Sequence, residues 1–185
     1  PKVAACANCH GSHGIQSAKD AKSSVYAANL PATCSHCHSN AGYMKEYEIP
    51  TDQYEKFSKS VHGNALLTKH DVSAPACNDC HGNHGAVPPG VESVSKVCGS
   101  CHALNADLFS SSPHKKAFDD MNLPECETCH SNHEIVAATD KLLGVSPDAV
   151  CSQCHQADDT TKAYAVAATM RSLTDSLESG EQNAA

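Results

Sequence analysis

The sequence predicts a mainly α chain with long loops, little or no β-sheet, and a core supplied by bound groups rather than by its own side chains. Three observations predict this. The 185 residues include 12 Cys and 13 His, and every cysteine falls in one of six Cys-x-x-Cys-His motifs. Leu, Ile, Val and Phe together number only 28, with no Trp, five Tyr and three Phe. Three stretches read as helical, about Thr51 to Leu67, Ser111 to Met121 and Thr160 to Leu177. The hydrophobic share of 40% is inflated by the 12 Cys and by 26 Ala. With a net charge of −8, so little apolar side chain is the composition of a disordered chain, which cannot offset its ordering entropy.

The missing core is explained by the motifs. Cys at i, Cys at i+3 and His at i+4 share one face of a single helical turn. This is the attachment pattern of a c-type haem, in which two sulfurs bond the porphyrin edge and the imidazole ligates iron. One such motif alone reads equally as half a zinc site or a redox pair. Six that consume every cysteine read as six haem c groups. A zinc ribbon has no need of a histidine after each knuckle. The attachment cysteines are Cys6, Cys9, Cys34, Cys37, Cys77, Cys80, Cys98, Cys101, Cys126, Cys129, Cys151 and Cys154. The proximal iron ligands are His10, His38, His81, His102, His130 and His155. No disulfide is expected. The expected fold is therefore haem-cored.

First cysteines are 28, 43, 21, 28 and 25 residues apart, a spacing that becomes regular when the sites are paired. Sites one, three and five carry an extra histidine three residues on: His13, His84 and His133. Sites two, four and six lack it. The repeat is thus a two-haem unit. It extends upstream as Ser-x-His-x-x-Ala, in Ser60-Val61-His62 and Ser112-Pro113-His114. Its counterpart before Cys6 is absent. His81 and His84 are too close in sequence to take opposite faces of one porphyrin, so the extra histidine must serve a different haem. His13, His62, His84, His114 and His133 are expected distal ligands by their place in the repeat. Either His36 or His70 completes a set of six. Met44, Met121 and Met170 are read as packing residues.

In chain order, haem-binding units are expected at about residues 6–58, 59–110 and 111–157, so that 1–157 forms the hexahaem region. A C-terminal helix and polar tail follow at 158–185. Gly11, Gly14, Gly82 and Gly85 are expected to end the motif turns and let backbone pass close to a porphyrin. Val87-Pro88-Pro89-Gly90 reads as a loop. Tyr164, Ala167, Met170, Leu173, Thr174 and Leu177 form a mildly apolar stripe expected to pack on the last haem, with 179–185 a frayed tail. Asp119-Asp120 and Asp158-Asp159 read as solvated acidic surface, and Lys115-Lys116 as neighbours of a propionate. No run of 18 apolar residues suggests a membrane span. The start at Pro1 fits a mature chain whose signal has been removed.

Cys-x-x-Cys-His-Gly-x-His-Gly with an upstream Ser-x-His resembles the multihaem c-type cytochromes of anaerobic respiratory bacteria and archaea. That group includes small tetrahaem cytochromes, decahaem outer-membrane conduits and extracellular filaments. The resemblance covers about residues 6 to 155. It implies bis-histidine haems in a closely spaced row of stacked and T-shaped pairs, located in the periplasm, at the cell surface or outside the cell. In filament-forming members a histidine of one subunit ligates a haem of the next, and the incomplete first unit here is where a neighbouring subunit would enter.

Six-coordinate iron with two nitrogen ligands has no open position for substrate, so the expected role is electron carrier rather than enzyme. Partners are redox proteins or extracellular acceptors, with self-association into a filament as one assembly. An acidic surface excludes nucleic acid and favours basic partners. Two alternatives are a multihaem reductase with one open haem, acting on nitrogen or sulfur oxyanions, and a soluble periplasmic electron shuttle. A high-spin signal would mark the reductase.

Overall fold

In a computed structural model, residues 3–88, 94–139, 142, 144, 146–156 and 162–184 are described. Helices and turns account for all regular structure among them, with no strand. Short helices follow the motifs closely: α1 (Cys6–His10), α2 (Leu30–His38), α3 (Ala41–Met44), α4 (Gln53–Lys59), α5 (Val61–Gly63), α6 (Cys77–His81), α7 (Val94–Gly99), α8 (Ala103–Ser110), α9 (Pro113–Met121), α10 (Glu125–His130) and α11 (Ala163–Ala184). Segments Lys45–Tyr47 and Cys151–Gln153 are 3-10 turns, and Asn64–Thr68 is π-helical.

The chain divides into two compact units, Pro1–Ile135 and Val136–Ala185. This boundary falls inside the third two-haem repeat. Within the first unit α2 packs against α3, α4 and α6; α6 packs against α7; and α7 packs against both α8 and α10. The apolar core is as thin as the composition implies. In this unit the buried hydrophobic residues are Met44, Leu66, Ala76, Val94 and Phe118, among the described residues. In the second unit they are Leu142, Ala149 and Ala167.

The motif helices α1, α6 and α10 are five or six residues long because their ends are fixed locally. At site one the Asn8 side chain accepts from the Ala5 backbone N–H at 2.8 Å, and at site three Asp79 accepts from Ala76 at 2.7 Å. Each closes the first turn by occupying an orphan donor. The exits match too. Gly11 (φ 73°, ψ 174°) and Gly82 (φ 79°, ψ 175°) leave through a region open essentially to glycine. At site five the same conformation is adopted by Ser131 (φ 66°, ψ −179°). A Cβ there costs on the order of 1–3 kcal/mol. Ser131→Gly should therefore raise stability by about 1 kcal/mol, read as a higher thermal midpoint with the haem spectrum unchanged. An unchanged or lower midpoint would show that the strain is absorbed elsewhere.

Two expectations need correction. The stretch from Thr51 to Leu67 is not one helix: Ser60 (φ −70°, ψ 164°) breaks it. Its buried hydroxyl donates to the Phe57 carbonyl at 2.6 Å and accepts from Gly63 N–H at 2.9 Å, restarting the chain as α5. A Cβ on Gly63 would lie 1.9 Å from the Phe57 oxygen, so only glycine fits. The last helix runs through Ala184 instead of fraying after Leu177. Of its expected apolar stripe, Tyr164 and Thr174 are half-buried and Ala167 buried, while Met170, Leu173 and Leu177 are 46, 61 and 70% exposed. α11 packs against the 3-10 turn Cys151–Gln153. Pro89-Gly90, Asp158-Asp159 and Thr160 lie outside the described residues.

Candidate haem sites

Each motif presents its two sulfurs and its imidazole from one turn, but only the fold decides which sites adjoin. Cys34 of α2 and Cys77 of α6 share a sulfur–sulfur hydrogen bond, which lowers the Cys34 thiol to about 7 and raises that of Cys77. Cys98 of α7 and Cys126 of α10 repeat the arrangement, with Cys98 lowered to about 7 and Cys126 raised. In each pair one sulfur donates to the other and so stabilises its anion. Cys9 is raised by burial and then by Cys34 and Cys37; Cys80 is raised by burial and then by Asp79 and Cys101. Together with the α2–α6–α7–α10 packing, these contacts put sites one to five in sequence order in space.

The histidines are paired across sites. The ring centroids of His10 and His84 are 6.1 Å apart, those of His62 and His102 6.1 Å, and those of His81 and His133 5.8 Å. The planes of the last pair differ by only 13°. Each pair joins a motif histidine to a non-motif one. His81 donates from Nδ1 to the Val87 carbonyl at 3.1 Å, and His133 from Nδ1 to Asn132 Oδ1 at 3.1 Å. With Nδ1 carrying the proton in both, Nε2 is the free lone pair. Such a partner also fixes the ring's orientation.

Burial, and then the neighbouring His102, holds His62 below the usual imidazole range. His133 is lowered by burial and then by His81 and Lys56, with Asp52 acting in the opposite direction. Both are thereby kept neutral, the form that binds a metal.

His13, His36, His70, His84 and His114 are exposed, whereas His62 and His133 are half-buried. His114 packs on Phe118 at 5.8 Å, and Phe118 meets Phe109 edge-on at 5.6 Å. His36 lies on the face of α2 opposite Cys34, Cys37 and His38, being two positions from both Cys34 and His38. His70 has a left-handed backbone (φ 57°) pinned by the Lys69 and Asp71 amides bonding to Asn64 and Ala65. Neither is ring-paired with a motif histidine among the described residues. Met44 is buried, and Met121 is 54% exposed. Asp119 and Asp120 pair with Lys115 and Lys116 at 2.5 and 2.6 Å, and Lys115 also lies 3.4 Å from Glu125. These lysines are thus engaged by carboxylates of the chain itself.

Two anchoring residues escaped the sequence reading. Ser112 donates to the Phe109 carbonyl at 2.7 Å just as Ser60 does to Phe57. The upstream repeat is therefore Phe-Ser-x-Ser-x-His, in Phe57–His62 and Phe109–His114. The signal was present in the sequence; only its length was underestimated.

The donor set fits haem c. Every motif supplies two thiols and an imidazole, and a second imidazole is ring-paired with three of them. A cleft of about 410 Å³ runs beside Cys101, between the 18–27 and 72–79 segments. Among the described residues no three His, Cys, Asp or Glu side chains converge on a bare-ion site, and no helix is long and apolar enough to cross a membrane.

The family model for cytochrome c3 matches residues 69–156, just under half of the chain, spanning motifs three to six. No curated protein and no solved structure matches the chain.

Proposed function

We propose, from the premise that this chain is a multihaem c-type cytochrome whose role is electron transfer, that it conducts electrons through six covalently held haems with bis-histidine iron. When bound, each haem supplies a one-electron ferric–ferrous couple. The chain's residues do the rest. Cysteine pairs on short rigid helices hold each porphyrin edge, and their succession through α2, α6, α7 and α10 sets the order of transfer. Second-sphere hydrogen bonds such as that of His81 to Val87 orient the ligands and tune the potentials. The observation that carries this reading is the spatial succession of sites one to five.

The setting that fits is anaerobic respiration outside the cytoplasm, with redox proteins or extracellular acceptors as partners. In a filament of such chains, the exposed His13 is suited to reach a site of a neighbouring copy. The test is intact mass together with electron paramagnetic resonance of the oxidised protein. Six haem additions and wholly low-spin iron are expected. Fewer additions, or a high-spin signal that shifts with cyanide or nitrite, would overturn the conduit reading in favour of a reductase. Negative-stain microscopy reads the assembly: polymers are expected, and uniformly monomeric particles would end the filament reading.

A further inference from the structure

We infer that ligation in this chain is offset by one repeat: His84 is the distal ligand of the iron held by His10, and His133 of the iron held by His81. Within its own unit, His62 serves the iron held by His102. This deepens the bis-histidine reading above and rests on it.

The spacing carries the assignment. Two imidazoles bonded to one metal at about 2.0 Å each, on opposite sides, place their ring centroids about 6 Å apart. The three observed separations are 6.1, 5.8 and 6.1 Å. Rings in direct stacking contact would be closer, and unrelated surface histidines have no reason to repeat one distance. Chemistry points the same way in the His81–His133 pair, where both Nδ1 atoms are engaged and both Nε2 atoms are free. Symmetry does so for His84 and His133. His84 and His133 hold equivalent places in the repeat, and each reaches back to the first site of the preceding unit. His62, from the upstream element, reaches forward to the second site of its own unit.

The offset has a mechanical meaning. A motif histidine and the extra histidine three residues later grip two different irons. Successive repeats are thereby bolted together through metal bonds, in a chain with little apolar core to join them. It also relocates the expected consequence of a mutation. A change within motif three should damage site one.

The test uses the matured protein and spin state as readout. His84→Ala should convert one haem to high-spin. In a Cys6→Ala/Cys9→Ala background, which lacks the haem of site one, the same substitution should add no high-spin iron. If His84→Ala adds a high-spin haem in that background too, or leaves the wild-type spectrum unchanged, the offset is wrong. His133→Ala is read in the same way against Cys77→Ala/Cys80→Ala. Should the alanine variants fail to mature, His84→Met keeps a ligand on the iron. It should raise the potential of a single haem and add one sulfur-to-iron charge-transfer band, absent when site one is deleted. A band that persists without site one overturns the assignment. High-spin iron in the wild type would instead defeat the all-bis-histidine reading, while the background comparison still reports whether His84 serves site one.

Discussion

Produced without covalent haem, this chain should show no cooperative thermal transition, and its far-ultraviolet circular dichroism should lack the helix content of the mature protein. The reason lies in what is buried. Among the described residues the first unit buries only Pro31, Met44, Leu66, Ala76, Val94 and Phe118 as apolar side chains, and the second only Leu142, Ala149 and Ala167. Four of those nine positions are alanine or methionine. Conformational entropy must be offset for every ordered residue, and burial of this extent cannot do so. The motif helices α1 and α6 have five residues each, far below the length at which an isolated helix holds. Surface ion pairs such as Lys59–Glu55 and Lys116–Asp120 contribute little. Sulfur and imidazole bonds to the bound groups must therefore supply the cohesion. A native-like spectrum and a sharp melt from the haem-free chain would refute this directly, because some other core would then have to exist.

Removing site three should interrupt transfer more than removing site one. α6 lies between α2 and α7 in the packing, and its sulfurs lie near both neighbours: Cys77 beside Cys34, and Cys80 within electrostatic range of Cys101. A Cys77→Ala/Cys80→Ala variant should lose one haem by mass. After photoreduction from one end, it should re-equilibrate in two separated phases, one within sites one and two and a much slower one across the gap. Cys6→Ala/Cys9→Ala also loses one haem but should keep a single fast phase, since it only shortens the row. Equal kinetics in the two variants would mean that electrons bypass site three. The two effects are distinct in kind: the first concerns whether the fold exists, the second whether an intact fold still conducts.

Sequence reading reached different depths at different residues. Cys77-x-x-Cys80-His81 is legible without structure because the chemistry of attachment demands that spacing within one turn. Ser60 and His62 were legible as a recurring pair, but the role of Ser60 as the break that restarts α5 was not, since helical periodicity alone runs straight through it. The anchoring role of Phe57 and Phe109 was overlooked because it is played by a backbone carbonyl, which leaves no trace in hydrophobic pattern.

By itself, the sequence determined that this is a chain organised by six Cys-x-x-Cys-His motifs, helical and short of apolar core. It also singled out His13, His84 and His133 as equivalent residues. Those are local matters, decided by composition and by spacing along a turn. Which histidine faces which was decided only in the tertiary structure. His84 stands three residues from His81 in the chain, yet its ring is paired with that of His10. Pairing across a metal needs approach from opposite sides, and opposite sides are reached only by segments far apart in sequence. Their meeting depends on how successive units stack, for which no single motif carries the information.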